Sequence, residues 1–214
     1  MAVHQKNIAS NLTCESKKEN QCPDKGKTIS GSLSVNAYPK EYEKKILTRT
    51  GLELFIRPIK PEDASLLLDM FNNLSPRTRY YRFFTPLKVL SKDLLIKFTN
   101  IDYKKDMALI ALESMEPDSR ILAVARFISK PGQADAEFAV VCRDAWQGKG
   151  VGRVLLENLI LFASEKKVRS MSGYVLAENI YMLSLARKLG FSISKLTDED
   201  QYFLKINVET EKNI

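Results

Sequence analysis

The sequence predicts an α/β (or α+β) fold, in which a mixed central sheet carries helices on both faces. Three observations predict it. Amphipathic segments of helical period alternate with short apolar segments of strand length over most of the chain. The composition, with 44% hydrophobic and 28% charged residues, is typical of a globular protein. The length of 214 residues suits one well-packed domain and is short for two.

The chain is expected to divide into a flexible N-terminal tail, residues 1–36, and one folded domain, residues 37–214. The tail is rich in Ser, Asn, Lys and Gly and shows no sustained hydrophobic period.

The first half of the domain is predicted to contain one strand and three helices. Residues 52–59 form the strand, and proline and acidic residues at positions 61–63 begin the first helix. A Ser-Pro pair begins the second helix, residues 75–84, and Ser91 caps the third. The first helix is expected to turn these apolar side chains inward: Leu66, Leu67, Met70, Phe71 and Leu74.

The second half is predicted to contain six strands and two helices. The strands are residues 107–112, 121–128, 138–142, 171–176, 191–196 and 202–208. Residues 138–142 are interpreted as a buried central strand, and turns at 116–118 and 131–132 precede the second and third strands. One helix follows the central strand, and the other, residues 179–189, ends at Gly190 in a C-cap position.

Three glycines at alternate positions, Gly148, Gly150 and Gly152, lie between the central strand and the helix that follows it. The first N–H groups of a helix have no partner within it, and the helix dipole adds partial positive charge there. Lys149 and Arg153 add full charges, so the pattern favours an anion-binding turn. The alternative is that the glycines only shape the turn. The spacing fits neither a dinucleotide fingerprint nor a P-loop, because position 153 is not glycine and no Gly-Lys-Ser/Thr sequence follows.

At these residues the chain resembles the GNAT superfamily of acyl-CoA-dependent N-acyltransferases. Residues 147–152, Gln-Gly-Lys-Gly-Val-Gly, match the family motif Gln/Arg-x-x-Gly-x-Gly/Ala. Asn179 and residues 186–191, Ala-Arg-Lys-Leu-Gly-Phe, match the second motif of the family and its Gly-Phe signature. The resemblance runs from about residue 52 to residue 208. It implies acetyl-CoA as cosubstrate, with its pyrophosphate held by the turn, and two central strands that splay apart to admit the pantetheine arm.

The resemblance also implies which residues bind the cosubstrate. Backbone N–H groups near residues 140–142 would hold the thioester carbonyl and stabilise the developing oxyanion. The predicted cosubstrate-binding residues are Val140, Val141, Cys142, Gln147, Gly148, Lys149, Gly150, Val151, Gly152, Arg153 and Asn179. No metal is expected, because the three cysteines form no CxxC pair and the chain has one histidine.

Glu137 is the candidate general base. Deprotonating a lysine at pH 7.4 costs about 4 kcal/mol, so a base is useful. His4, the single histidine, lies in the predicted tail, whereas Glu137 begins the central strand on the face shared by Ala139 and Val141. The alternative is a solvent-facing glutamate at the end of a strand.

One branch of the family is similar over further segments. The bacterial protein-lysine acetyltransferases that modify acyl-CoA synthetases have segments similar to YPKEYEKK, FIRPIKPED, SPRTRYYRFF, AEFAVV and ARKLGF. Their catalytic glutamate lies in the AEF segment, on the position of Glu137. The resemblance implies direct transfer to protein lysines, with an acyl-CoA synthetase or another protein as partner. The alternatives are a small-amine acetyltransferase and a non-catalytic CoA- or RNA-binding module.

The chain departs from the family in two respects. Many members carry a tyrosine general acid where this chain has Ala186, and Tyr181, one turn away, is not assigned that role. A leaving thiolate with a pKa of about 8.5 needs little help at neutral pH. Members of the branch are often fused to a synthetase-like or cyclic-nucleotide-binding domain. We expect neither in a chain of this length, so no regulatory ligand is implied.

Arginines and aromatic residues alternate between positions 77 and 84. The aromatic side chains are expected in the core, and Arg77, Arg79 and Arg82, with Lys88 nearby, at the acceptor entrance. The excess of 33 basic over 26 acidic residues would also suit an RNA-stacking patch, but nucleic acid is not the expected partner.

The expected location is the cytoplasm, without a membrane partner. No apolar run approaches the roughly 20 residues of a membrane helix, and the N-terminus lacks the apolar core of a signal peptide. The few cysteines fit a reducing compartment, and Cys142 is interpreted as a small buried hydrophobic residue and not as a nucleophile.

Overall fold

The structure, a computed structural model, describes residues 37–116, 119–129, 134–197 and 200–208. The predicted tail, residues 1–36, lies outside the described residues. So do most residues of the two predicted turns at 116–118 and 131–132.

A mixed sheet of eight strands forms the centre of the described part of the chain, in agreement with the predicted fold class. The strands are β1 Lys44–Leu47, β2 Glu53–Pro58, β3 Met107–Leu112, β4 Ile121–Ser129, β5 Asp135–Cys142, β6 Ser170–Leu176, β7 Ser192–Lys195 and β8 Gln201–Asn207. Their order across the sheet is β1-β2-β3-β4-β5-β6-β8-β7. Every neighbouring pair is antiparallel except β5 and β6, which run parallel.

The described residues form five α-helices, at or close to the predicted positions. They are α1 Ala64–Asn72, α2 Pro76–Phe83, α3 Lys92–Thr99, α4 Val151–Glu165 and α5 Ile180–Lys188. Ser75 and Ser91 cap α2 and α3 through their side-chain oxygens. Gly190, with a φ of 82°, follows α5 at the predicted C-cap position. None of these helices is both long and apolar enough to cross a bilayer.

The strand predicted to be first is the second strand of the sheet. β1 precedes it and pairs with it antiparallel at the sheet edge. Three of the four β1 residues are exposed, so no apolar alternation marks this strand in the sequence. β1 forms because β2 offers it a free edge and because a tight turn containing Gly51, at a φ of 79°, joins the two strands.

Two hydrophobic cores lie on the two faces of the sheet. The first contains residues of α4 and α5, such as Leu155 and Leu183. The second contains Met70 of α1, Phe83 of α2 and Phe98 of α3. The helices therefore divide between the faces as the predicted layer architecture requires.

β5 and β6 form a fork at the centre of the sheet. They pair only from Asp135 to Glu137, against Ser170 to Ser172, and then separate, while β4 and β8 remain paired along their outer sides. Residues 139–142 are half-buried, so the prediction of a buried strand is wrong beyond Phe138. The open fork leaves these residues beside a cleft instead of a neighbouring strand.

The vertex of the fork depends on a glycine. A Cβ atom on Gly173 of β6 would lie 3.0 Å from the carbonyl oxygen of Phe138 and 3.1 Å from its ring. A side chain at position 173 would therefore make an unusually tight contact with β5, which only a shift of β5 could relieve.

We expect Gly173→Ala to lower the free energy of unfolding by about 1–3 kcal/mol, because the added methyl group pushes β5 and β6 apart. Urea unfolding followed by circular dichroism measures the change. Ser194→Ala, at an exposed position of the edge strand β7, is the control and should change stability by less than about 0.5 kcal/mol. A Gly173→Ala protein as stable as the wild type would contradict the close contact.

Candidate functional site

A cleft of about 290 Å³ lies where the fork opens. Its lining residues belong to β5, α2, α5, the turn between β5 and α4, and the first turn of α4. The volume is close to the lower end of small-molecule sites in proteins, about 300 Å³.

Nine of the eleven predicted cosubstrate-binding residues line this cleft. They are Val140, Val141, Cys142, Gln147, Gly148, Gly150, Gly152, Arg153 and Asn179. The other two belong to the same turn but face elsewhere. The Lys149 ammonium lies 4.8 Å from the centre of the Trp146 ring, and Val151 is fully buried in the first core.

The glycine turn adopts a backbone conformation that other residues avoid. Gly148 and Gly150 have φ values of 75° and 86°, in the left-handed region, and α4 begins directly after Gly150. A Cβ atom on Gly150 would lie 3.5 Å from Cβ of Thr48, which is ordinary contact. Glycine is therefore required at position 150 for its backbone conformation and not to leave space.

The β1–β2 hairpin supports this turn from behind. Thr50 Oγ1 donates a hydrogen bond to the carbonyl of Lys149 at 2.9 Å. Thr48 Oγ1 and Thr50 Oγ1 are themselves hydrogen-bonded at 2.9 Å. Sequence reasoning missed both threonines, because the contact joins residues 99 positions apart and no local pattern marks it.

The site fits a coenzyme with a diphosphate and an extended arm. The amides at the start of α4, a helix of 15 residues, offer hydrogen-bond donors and the positive end of a helix dipole. Arg153 and Lys188 add positive charge to the cleft lining. Beyond Glu137, the backbone groups of β5 that face β6 have no partner in that strand, so they can bind a chain laid along β5.

Asn179 and Gln147 both act on the backbone around the cleft. The Asn179 side chain caps α5 by accepting a hydrogen bond from the amide of Met182 at 3.2 Å. Gln147 Nε2 donates to the Cys142 carbonyl at 3.2 Å and to Thr78 Oγ1 of α2 at 3.1 Å. The motif glutamine thus joins the glycine turn to the end of β5 and to α2.

The three arginines predicted at the acceptor entrance have different surroundings. Arg82 lines the cleft. Arg77 is exposed, and its Nε donates to the Tyr81 hydroxyl at 2.6 Å. Arg79 donates to the carbonyls of Asn72 and Leu74, so it holds the end of α1.

Tyr81 was expected in the core, but it lines the cleft and reaches from one side of it to the other. It lines the cleft from α2, and its hydroxyl donates to the carbonyl of Glu178, in the loop before α5, at 3.3 Å. The bond joins residues 97 positions apart, so no local pattern in the sequence marks it.

Glu137 is half-buried at the vertex of the fork, between Ile128 of β4 and Ser172 of β6. It is not among the residues that line the cleft. Burial lowers the pKa of Arg82 to about 10, and the negative charge of Glu137 opposes that shift. Arg82 therefore stays charged at neutral pH and interacts electrostatically with Glu137.

A second buried arginine lies near this pair. Arg126 of β4 is 6% exposed and donates to the Phe98 carbonyl at 2.5 Å. Burial, and then the charge of Arg82, lower its pKa to about 9. The face of the sheet beside Glu137 thus carries two positive side chains that remain protonated at pH 7.

Cys142, Ala186 and Tyr181 differ in their surroundings. Burial raises the pKa of the Cys142 thiol to about 12, so the thiol is protonated at neutral pH and a poor nucleophile. Ala186 is fully buried. Tyr181 lines the cleft with 69% of its surface exposed.

Comparison with known proteins identifies the domain type. Residues 53–192 match the family model described as acetyltransferase (GNAT) domain. Acetyltransferase PA5475 of Pseudomonas aeruginosa is 34% identical over 141 residues, which make up 66% of this chain and 76% of that protein. Acetyltransferase Pat of Mycolicibacterium smegmatis is 30% identical over 147 residues, 68% of this chain and 43% of that protein. The match therefore spans less than half of the M. smegmatis protein.

Solved structures share the fold. The GNAT domain of S. lividans PAT superposes with a TM-score of 0.72 at 27% identity, over 79% of this chain and 99% of that chain. The Salmonella typhimurium acetyltransferase yncA, solved with its cofactor acetyl-CoA, superposes with a TM-score of 0.60 at 20% identity, over 74% of this chain and 96% of that chain. The second likeness concerns the fold alone, and the two together confirm the predicted fold class.

We expect Gly150→Ala to destabilise the protein by about 1–2 kcal/mol, because an L-residue resists a positive φ, and to weaken acetyl-CoA binding by displacing the turn amides. Gly152→Ala is the matched control. The family motif accepts alanine at this position, and a Cβ atom there would lie 3.9 Å from Leu185, so the protein should gain up to about 1 kcal/mol of stability and keep its affinity for acetyl-CoA. Urea unfolding and calorimetric titration measure both changes. Unchanged affinity in a folded Gly150→Ala protein would contradict the role of the turn.

Proposed function

Because the chain belongs to the GNAT acetyltransferase family, whose members use acetyl-CoA, we propose that it transfers the acetyl group to lysine side chains of proteins, an acyl-CoA synthetase among them. The supporting observation is likeness to acetyltransferase Pat and to the GNAT domain of PAT over a whole domain and not over a short motif.

The donor end of the cleft would hold the diphosphate at the first amides of α4 and the extended arm along β5. Acetyl-CoA supplies a thioester whose carbonyl carbon accepts the amine and whose thiolate leaves. Backbone N–H groups at residues 140–142 would donate to the carbonyl oxygen as negative charge develops there. The half-buried position of these residues supports this role, since a partly dry site strengthens such bonds.

Glu137 would receive the proton of the attacking amine through water. Direct contact is not favoured, because Val140, the first β5 residue that lines the cleft, lies three residues further along the strand, about 10 Å away. A cavity of about 40 Å³ lies beside Arg82, Ala139 and Val141, on the face of β5 that carries Glu137. Its volume would admit two or three waters, at about 10–15 Å³ each, and its polar lining residues are Arg82 and Arg126.

Arg82 would also favour deprotonation of the acceptor amine. A nearby positive charge disfavours a second one, so an amine in this cleft loses its proton more readily than in water. The charges of Arg82 and Glu137 also attract each other.

The leaving group would need no dedicated acid. A thiolate of pKa about 8.5 is a stable leaving group near neutral pH, and the position of the tyrosine found in many relatives is the fully buried Ala186.

The acceptor would approach along α2. Arg77 and Lys88 are exposed there, and they suit an acidic protein surface around the target lysine better than a free polyamine. Because exposed charges are screened over about 8 Å at physiological ionic strength, the encounter should weaken as salt rises.

We expect Glu137→Gln to lower kcat by about 10²- to 10⁴-fold with little change in acetyl-CoA affinity, because the amide keeps the shape and cannot accept the proton. Steady-state kinetics and calorimetric titration measure the two quantities. Glu178→Gln, which alters an exposed glutamate at the rim, should leave kcat near the wild-type value. Wild-type turnover by Glu137→Gln at saturating substrate would show that the base lies elsewhere.

The acceptor is tested directly by incubation with an acyl-CoA synthetase and acetyl-CoA, with modified lysines mapped by mass spectrometry. We expect acetylation of the active-site lysine of the synthetase, inactivating it, and slower transfer at higher salt. Arg77→Glu should slow this transfer more than it weakens acetyl-CoA binding, whereas Lys195→Glu, on the edge strand β7, should not.

Spermidine and free lysine are assayed in parallel. Rapid acetylation of spermidine beside an unmodified synthetase would favour the small-amine alternative and overturn the proposal.

A further inference from the structure

We propose that Asp144 is a positioning residue that couples the glycine turn to α2, so that acetyl-CoA binding fixes the acceptor side of the cleft. This inference rests on the acetyl-CoA-binding part of the proposed function and not on the identity of the acceptor. Asp144 lies in the short 3-10 helix Asp144–Trp146, between β5 and the glycine turn.

The Asp144 carboxylate accepts three hydrogen bonds from the first turn of α2 and its N-cap residue. It accepts hydrogen bonds from the Ser75 amide at 2.9 Å, the Ser75 hydroxyl at 2.6 Å and the Thr78 hydroxyl at 2.7 Å. Ser75 is the N-cap residue of α2, and Thr78 is one of its two buried residues. Burial raises the pKa of Asp144, but the hydrogen bonds from Ser75 and Thr78 outweigh it and hold the pKa below its ordinary value.

Gln147, the first residue of the glycine motif, joins the same network. Its Nε2 donates to Thr78 Oγ1 at 3.1 Å, while that hydroxyl donates to Asp144. The buried Thr78 hydroxyl of α2 is thus hydrogen-bonded to both Asp144 and Gln147, so a displacement of these two residues also displaces α2.

The packing of α2 makes it sensitive to these bonds. The helix has eight residues and buries only Thr78 and Phe83. Toward its C-terminal end, Tyr81 bonds to the Glu178 carbonyl beyond the other arm of the fork, and Arg82 lines the cleft. A short helix with so few core contacts is held largely by its polar attachments.

Coupling follows from this arrangement. When the amides of the turn bind a diphosphate, the turn loses conformational freedom, and the hydrogen bonds of Asp144 and Gln147 pass that restriction to α2. Tyr81 and Arg82 are then fixed on the acceptor side of the cleft.

Hydrogen–deuterium exchange of the full chain, with and without saturating acetyl-CoA, tests the coupling. In the wild type, acetyl-CoA should slow exchange about fivefold or more both in the first turn of α4 and in α2. In Asp144→Ala the protection of α4 should remain and that of α2 should be lost. Equal protection of α2 in both proteins would overturn the proposal.

Two further variants separate the coupling from a merely structural effect. Thr78→Val keeps the shape, removes the shared hydroxyl, and should also abolish the protection of α2. Asp69→Asn breaks the ion pair between Arg143 of the same turn and α1 without touching α2, and should retain that protection. Loss of α2 protection in Asp69→Asn as well would show a general loosening of the turn and overturn the specific role of Asp144.

Kinetics supply the second readout. Asp144→Ala should raise the KM for the acceptor or lower kcat about tenfold, while the KM for acetyl-CoA changes less than about threefold. Absent protection of α4 in the wild type would contradict the coenzyme site itself, whereas protection of α4 without α2 would contradict only the coupling.

Discussion

The separation of β5 and β6 after three paired residues is the constraint on which the rest of the structure depends. A parallel pair that continued would fill the sheet and leave no cleft. Instead, one arm stays bound to β4 and the other to β8, and both ladders are long enough to hold the arms rigidly apart. The backbone groups exposed along β5 and the cleft between the arms both result from this divergence. Gly173 and Phe138 lie at its vertex, where a Cβ atom on Gly173 would be only 3.0 Å from the Phe138 carbonyl oxygen.

The elements around the cleft are held by polar contacts between distant parts of the chain. The β1–β2 hairpin supports the glycine turn through Thr50, and α2 is attached to the opposite side of that turn through Asp144. The two hydrophobic cores hold the sheet and the larger helices, but they contribute little to α2 and to the turn itself. Elements held by a few hydrogen bonds open at a lower free-energy cost than elements in a packed core, so the walls of this cleft can respond to a ligand.

The vertex of the fork carries more positive than negative side chains. Glu137 lies near Arg82, and Arg82 lies near Arg126, so two guanidinium groups share a partly desolvated region with a carboxylate. Burying such groups costs free energy unless opposite charges and hydrogen bonds compensate. Groups with perturbed pKa values beside a cleft are frequent at functional sites. This region, and not the glycine turn, is therefore where acceptor chemistry is expected to be controlled.

The sequence alone determined the elements that depend on near neighbours. The glycine turn, the start of α2 at the Ser75-Pro76 pair, the Ser91 cap of α3 and the glycine that follows α5 all depend on interactions within a few residues, and the structure contains each of them. The family resemblance added the fork, which no local pattern shows. Only the tertiary structure decided that β1 pairs at the edge of the sheet and that Arg79 holds α1 while Arg82 lines the cleft. The tertiary structure also decided that Thr50, Tyr81 and Asp144 join segments 66 or more positions apart. Each of these depends on which surfaces meet after folding, and a side chain's partner across such a distance leaves no period or spacing in the sequence.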